Sequence, residues 1–201
     1  MQLDEDHPKG QTKSTAIALL TDQLPKWYEY VQEQNIPIKY TYKPKEGGPH
    51  DGFVAIDPGG YLLEFEQFKM HPENELFMAI LENSPRVKTS LGQLNFYGSI
   101  TWTYHNDVLL LQNFYLNELG FELVADQGWT KIFQTSPTGF IGLVDECRGM
   151  EDYDDTKAVE IEWQVENLTI FRDYADQHWG KYNFTNGSFL GPESYIYHLT
   201  N

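Results

Sequence analysis

Glu160 and Glu162 stand two residues apart in Val159-Glu160-Ile161-Glu162-Trp163-Gln164-Val165, where polar and apolar residues alternate. A period of two is the signature of a half-buried strand. Glu160, Glu162 and Gln164 therefore share one face, and Val159, Ile161, Trp163 and Val165 the other. Two carboxyl groups held side by side repel each other, and burial adds to the penalty on their charged forms. Carboxyls with pKa values raised in this way suit general acid–base work on a weakly acidic C–H. The same pair could hold a cationic ligand, or simply form a solvated face. A second strand pattern, Ser99-Ile100-Thr101-Trp102-Thr103-Tyr104, carries Trp102 and Tyr104, which could stack a planar ligand or serve as core.

Other chemistries lack their residues. Cys147 is the single cysteine, which excludes an intrachain disulfide and a cysteine-based zinc cluster. Its acidic neighbours Asp145 and Glu146 raise a thiol's pKa and so disfavour a nucleophile there. His50, His71 and His178 fall in loops or helix ends without zinc spacing, and His105, next to Asn106-Asp107, reads as part of a helix cap. No Gly-x-Gly-x-x-Gly, phosphate-loop or Gly-x-Ser-x-Gly pattern occurs. The 30 acidic against 14 basic residues, a formal charge of −16, are the wrong sign for a nucleic-acid partner. No apolar run approaches the roughly 20 residues of a membrane span, and Met1 to His7 lacks the features of a secretory signal. The expectation is a cytoplasmic protein with no membrane partner.

The elements that position these residues come in repeats. Ala16-Ile17-Ala18-Leu19-Leu20 reads as a strand. Leu24, Trp27, Tyr28 and Val31 then fall at helical spacing, with Pro25 suited to the first turn, and Asp57-Pro58-Gly59-Gly60 turns into the strand Tyr61–Phe65. The stretch from Val159 repeats the order: a strand, then Leu168, Phe171 and Tyr174 at helical spacing, then Gly191-Pro192 before Tyr195–Leu199. Between them, 96–146 reads as a strand, a helix from Asp107 to Leu119 ended by Gly120, and three further strands. Residues 71–95 read as a connector between Pro72 and Pro85, with a short amphipathic helix near 74–81. With 40% apolar residues and 15% aromatics, 201 residues suffice for a packed core.

Asn106-Asp107, Phe114-Tyr115, Glu118-Leu119-Gly120-Phe121 and the closing strand Asp57-Pro58-Gly59-Gly60-Tyr61-Leu62-Leu63-Glu64 resemble the vicinal oxygen chelate superfamily of glyoxalase I, bleomycin-resistance proteins and extradiol dioxygenases. The resemblance implies an α+β fold of βαβββ modules paired into curved mixed sheets with helices outside and a ligand or metal inside. It implies a complete two-module domain at 96–201, a connector at 71–95 and a partial domain at 1–70. In the last of these, Gln2-Leu3-Asp4 would be the remnant of an opening module. Module 13–70 should then pair with its counterpart in a second chain, giving a homodimer, or pack on the 96–201 pair.

Carried over residue by residue, the family's closing-strand ligand falls on Glu64 and His198, and the first-strand ligand on Glu160. The corresponding positions elsewhere hold Ala16, Ile100 and Gly142, which cannot bind a metal. Glu64, in a module without its partner, is expected to be partly solvated, and His198 to bond to water or backbone at a strand end. The family frame turns Ile100, Trp102 and Tyr104 into the cup, where hydrophobicity alone gives the reverse. The resemblance thus implies a small-molecule binder with a degenerate or absent metal site, its ligand held by Trp102, Tyr104, Gln164 and Glu64. The alternative is a metal-dependent lyase, isomerase or dioxygenase using Glu160, Glu162 and His198, with Zn, Mn, Fe or Ni on Glu160 and His198. A second alternative is a structural or interaction protein.

Overall fold

The computed structural model describes residues 11–89, 94–178 and 184–201. The first unit runs β1 (Thr15–Leu20), α1 (Leu24–Glu33), β2 (Ile38–Tyr40), β3 (His50–Ile56) and β4 (Leu62–Phe68). In α1, Leu24, Trp27 and Val31 lie on one buried stripe, and Pro25 occupies the first turn. Asp57 Oδ1 accepts from the Tyr61 amide at 2.8 Å in the turn before β4, where Gly60 has φ +85°.

Next come α2 (Glu75–Asn83) and the short strands β5 (Val87–Lys88) and β6 (Asn95–Phe96). The second unit is β7 (Gly98–His105), α3 (Val108–Asn113), β8 (Glu122–Asp126), β9 (Thr130–Gln134) and β10 (Gly139–Asp145). Asp107 caps α3 by accepting from the Leu110 amide at 2.9 Å, and the helix continues as a π-helical turn over Phe114–Glu118. The third unit is β11 (Glu160–Gln164), α4 (Leu168–His178), β12 (Ser188–Leu190) and β13 (Ile196–Thr200). Among the described residues no helix is long and apolar enough to cross a membrane.

The first two units share one eight-stranded mixed sheet in the order β2-β3-β4-β1-β7-β10-β9-β8. At its centre β1 is parallel to β4 and antiparallel to β7, and β7 is parallel to β10. This is the expected α+β architecture of paired βαβββ units, but the expected partners are exchanged. Segment 98–145 pairs with 15–68, whereas β11, β13 and β12 form a separate three-stranded sheet. The physical reason lies in the seam. Ala16 and Ala18 on β1 face Trp102 and Ile100 on β7 in register, and Thr15 Oγ1 donates to the Trp102 carbonyl at 2.8 Å. The edge of module 13–70, expected to meet either a second chain or the 96–201 unit, is paired with β7 of that unit. Gln2-Leu3-Asp4, read as the remnant of a further module, lies outside the described residues.

Helix α2, within the connector 71–95, contributes to the core. Phe77 is fully buried edge-on against Phe68 of β4 and Phe140 of β10, and Leu81 joins the same apolar cluster. The third unit docks by its apolar face. Ile161, Phe189, Tyr197 and Ala175 pack with Leu111, Phe114 and Tyr115 of the second unit. Polar clasps fix the angle. The Tyr195 hydroxyl donates to the Ser14 carbonyl at 2.7 Å and accepts from the Tyr104 amide at 3.1 Å. The Glu193 carboxylate accepts from the Asn106 and Asp107 amides at 3.1 and 3.0 Å, and sits 2.8 Å from His105 Nδ1. His105 is thus a buried joint between units, with Nε2 2.8 Å from Thr103 Oγ1. Glu193 holds φ +53°, a strained conformation for a side-chain-bearing residue, and its three partners offset that strain.

Glu193→Ala is expected to lower unfolding free energy by about 1.5–3 kcal/mol, as hydrogen bonds to a charged group do. Glu160→Ala, on the exposed face of the three-stranded sheet, should cost less than about 1 kcal/mol. Urea unfolding of both variants checks the contrast.

Candidate functional site

The concave face of the eight-stranded sheet encloses a cavity of about 250 Å³. Its chemistry comes from β4. Leu62–Phe68 alternates, and Glu64 and Glu66 both project into the cup, at 8% and 6% exposure. Across the cup stand Trp102 and Tyr104 of β7, with Ser99, Thr101 and Thr103 on the alternate positions, so the family frame holds and the hydrophobic ranking of this strand fails. Val54, Phe68 and Val144 add apolar walls, and Trp129 and Met150 line the rim. There the Arg148 guanidinium lies 4.7 Å over the Trp129 ring, and Lys39 Nζ donates to the Met150 carbonyl at 3.1 Å.

Two glycines shape this interior. Gly142 of β10 lies in register with Trp102, and a Cβ there would come within 2.0 Å of the indole ring. The ring therefore lies in the space that any side chain at 142 would need. From that position its Nε1 donates to Glu64 Oε2 at 3.0 Å. Gly52 of β3, opposite Glu66, leaves room in the same way. A Cβ there would meet the Phe65 carbonyl at 2.8 Å and Glu66 Cγ at 3.3 Å.

The two carboxyls are held in unlike states of satisfaction. Glu64 has the indole N–H, while Glu66 Oε2 meets no donor and Oε1 lies 3.9 Å from His50 Nε2. Burial pushes the Glu64 carboxyl up to about 7, with the bonds from Trp102 and Glu66 pulling it back. Burial raises Glu66 well above the carboxylate range, and the adjacent Glu64 charge adds to the shift. Burial likewise pushes His50 down, against the pull of Asp51, which keeps its imidazole neutral near pH 7. The result is a pair of acids beside an apolar cavity that together retain a proton near neutrality.

The structure brings Glu64, Trp102 and Tyr104 together and leaves the other expected site residues on a different sheet. Glu160, Glu162, Gln164 and His198 lie on the open polar face of β11 and β13. Glu160 Oε2 is 2.7 Å from His198 Nε2, His198 Nδ1 is 2.7 Å from Ser188 Oγ, and Thr200 Oγ1 donates to Glu162 Oε1 at 3.1 Å. His198 is thus bonded to side chains, not to water or backbone alone. Glu64 is buried instead of partly solvated, because β7 and β10 supply the covering unit. Glu66 and His50 were missed. The alternation of Leu62-Leu63-Glu64-Phe65-Glu66-Gln67-Phe68 is the signal that finds Glu66. His50, read as a loop residue, is the first residue of β3.

At the positions that the family resemblance assigns to metal ligands, the cup offers one ligand-type side chain, Glu64. Facing Glu64 across β1 is an indole N–H, which donates and cannot ligate, and the flanking positions are Ala18, Ile100 and Gly142. Among the described residues no group of three or more His, Cys, Asp or Glu is arranged to hold a metal ion.

No protein-family model and no curated protein sequence matches this chain. Solved structures do. Glyoxalase I from Zea mays is similar over 92% of this chain and 66% of its own, with a TM-score of 0.61 and 16% identity. A Bacillus subtilis protein named as a dioxygenase is similar over 94% of this chain and 61% of its own, with a TM-score of 0.59 and 14% identity. The chain spans about two thirds of the length of these structures. At such identities the likeness is one of fold: the chain shares the fold of these two structures.

The raised carboxyl has a stability consequence of definite sign. The folded chain holds a proton on Glu64 that the unfolded chain releases between the ordinary carboxylate range and about 7. Stability from this group is therefore full at acid pH and declines as pH rises through that window. Glu64→Gln retains an acceptor for Trp102 and removes the charge. It is expected to be more stable than the parent at pH ~8, by up to ~3 kcal/mol, with the difference vanishing near pH ~4. Urea titrations at the two pH values check this.

Proposed function

We propose that the chain is a small-molecule binding protein whose site is the cup between its first two βαβββ units, working without a resident metal. The observation that carries this reading is the Trp102 indole, seated over Gly142 and donating to Glu64, with a cavity left beside an unsatisfied Glu66. Ligand cavities are typically apolar with a few convergent polar groups, and carboxyls with raised pKa values cluster at such places. A chain filled by its own side chains, serving only structure, would have no reason to bury two acids against one indole donor. An acidic, soluble protein of the cytoplasm is the setting that fits this reading.

A second reading has one observation in its favour. Glu160 and His198 meet at 2.7 Å on the open sheet face, and both are metal-ligand types. Metal-dependent lyase, isomerase or dioxygenase chemistry there requires a third donor.

Metal analysis of protein purified without chelator and then offered Zn, Mn, Fe and Ni in turn separates the two. The expected outcome is less than one equivalent bound under every condition. Small-molecule fragments should shift the Trp102 indole N–H resonance, assigned with Trp102→Phe. One equivalent of metal that disappears in His198→Ala would transfer the site to the three-stranded sheet. Fragments that bind nowhere near Trp102 would remove the cup from consideration.

A further inference from the structure

We propose that the cup selects small organic cations, a protonated amine on a flat apolar body, with the ammonium group against Glu66 and Glu64 and the body against Trp102 and Tyr104. The inference rests on the reading of the cup as a binding site and specifies its ligand class.

The argument begins with what the two carboxyls lack. Together they present four oxygens; Trp102 Nε1 donates to Glu64 Oε2, and the proton the pair retains is shared between Glu66 and Glu64. Glu66 is 6% exposed, its Oε2 meets no donor, and the nearest imidazole nitrogen is 3.9 Å from Oε1. A buried acceptor left in this state is costly unless something else supplies the donor. Gly142 makes room for the Trp102 ring, and Gly52 for the close approach of β4 at Phe65 and Glu66. Both carboxyl-bearing residues line the cavity, and the donor that the buried Glu66 Oε2 lacks is one that an occupant can bring.

Charge then chooses among donors. A ligand carboxylate would bring a third acid beside two that already repel each other. A hydroxyl would satisfy one lone pair and no charge. An ammonium brings three N–H groups and the opposite sign, and such charge-assisted bonds are roughly twice as strong as neutral ones. The walls agree, since aromatic faces such as Trp102 and Tyr104 attract cations as well as apolar rings. A cavity of about 250 Å³ limits the body to one or two rings.

The groups facing the carboxyl pair decide its response to pH. They are His50 from β3, Tyr97 from the segment before β7, Tyr104 from β7 and, at the rim, Tyr40 and Arg148. Burial keeps His50 uncharged and holds Tyr97 and Tyr104 protonated, and Arg148 is engaged over Trp129. No lysine lines the cavity among the described residues. The pair therefore has no buried cation of its own and keeps a proton near neutrality. An arriving ammonium ionises it, and the proton passes to the buffer. Affinity for the amine rises with pH from the acid side until the amine itself deprotonates.

The test compares 2-phenylethylamine, 2-phenylethanol and phenylacetate by calorimetry on the full chain near neutral pH, in phosphate and in Tris. The amine is expected to bind about tenfold or more tighter than the alcohol, with phenylacetate weakest, and to release about one proton, read from the dependence of the heat on the buffer. Glu66→Gln should lower amine affinity about tenfold and leave alcohol affinity within about threefold, showing that the cup is intact. Equal or tighter binding of the alcohol or of phenylacetate overturns the cation assignment and leaves the binding-site reading standing. So does an amine affinity unchanged in Glu66→Gln. No binding of any probe at millimolar concentration also overturns it, and the Trp102 resonance under the wider fragment set then decides whether the cup itself fails.

Discussion

The antiparallel seam between β1 and β7 is the contact on which the rest of the arrangement depends, because both sides of the cup are measured from it. On β1, Ala18 lies in register with Glu64 of β4 and with Ile100 of β7, and Ala16 with Leu62 and Trp102. Glu64 and Trp102 therefore reach each other over a strand whose side chains at that level are the methyl groups of Ala16 and Ala18. A larger residue at either alanine would stand between the carboxylate and the indole N–H. Gly142 completes the fit from the far side, since β10 must pass beneath the same ring. Three small residues on two strands thus define where one large ring lies, and that ring defines what remains of the cavity.

The cost of this arrangement falls on folding. Burying two carboxyls with one side-chain donor between them works against stability at neutral pH. The protein offsets the cost with apolar contact around the pair. Phe77 of α2 plugs the sheet between Phe68 and Phe140, and Leu81 and Val54 extend the same cluster. A structure optimised for stability alone would carry amides or hydrocarbon at 64 and 66. Acids kept in such a place point to work that needs their charge or their proton.

The fold was legible in the sequence to the extent that its signals were local. Helical spacing at Leu24, Trp27 and Val31, the Asp107 cap and the period-two strands each report on a few neighbouring residues, and the structure agrees with them. Which unit pairs with which was not local. β1, β7 and β11 are repeats of the same opening strand, so any two could meet by pattern alone. The choice rests on side chains distant in sequence: Ala16 and Ala18 against Trp102 across the seam, and Glu193 and Tyr195 clasping the second unit from the third. The candidate site suffered from the same gap. Glu64 was found through the repeat, but with its partner unit misassigned it was read as partly solvated. Glu66, two residues on, shares its strand face, and no feature of the repeat singles it out.

The third unit shows how far residue type alone falls short of chemistry. Glu64 and His198 occupy corresponding positions on closing strands, and Glu160 and Glu162 lie on the strand that corresponds to β1. In the first unit the closing-strand acid is covered by β7 and β10, loses its water and gains an indole partner. In the third, the eight-stranded sheet contacts the apolar face of β11 and β13, so the polar face stays open and its groups pair with one another. Two carboxyls at alternate positions occur in both places. Where a second unit closes over Glu64 and Glu66, burial makes their charge costly, and a cavity lies beside them. At Glu64 and Glu66 the packing partner, and not the spacing, raises the carboxyl pKa values.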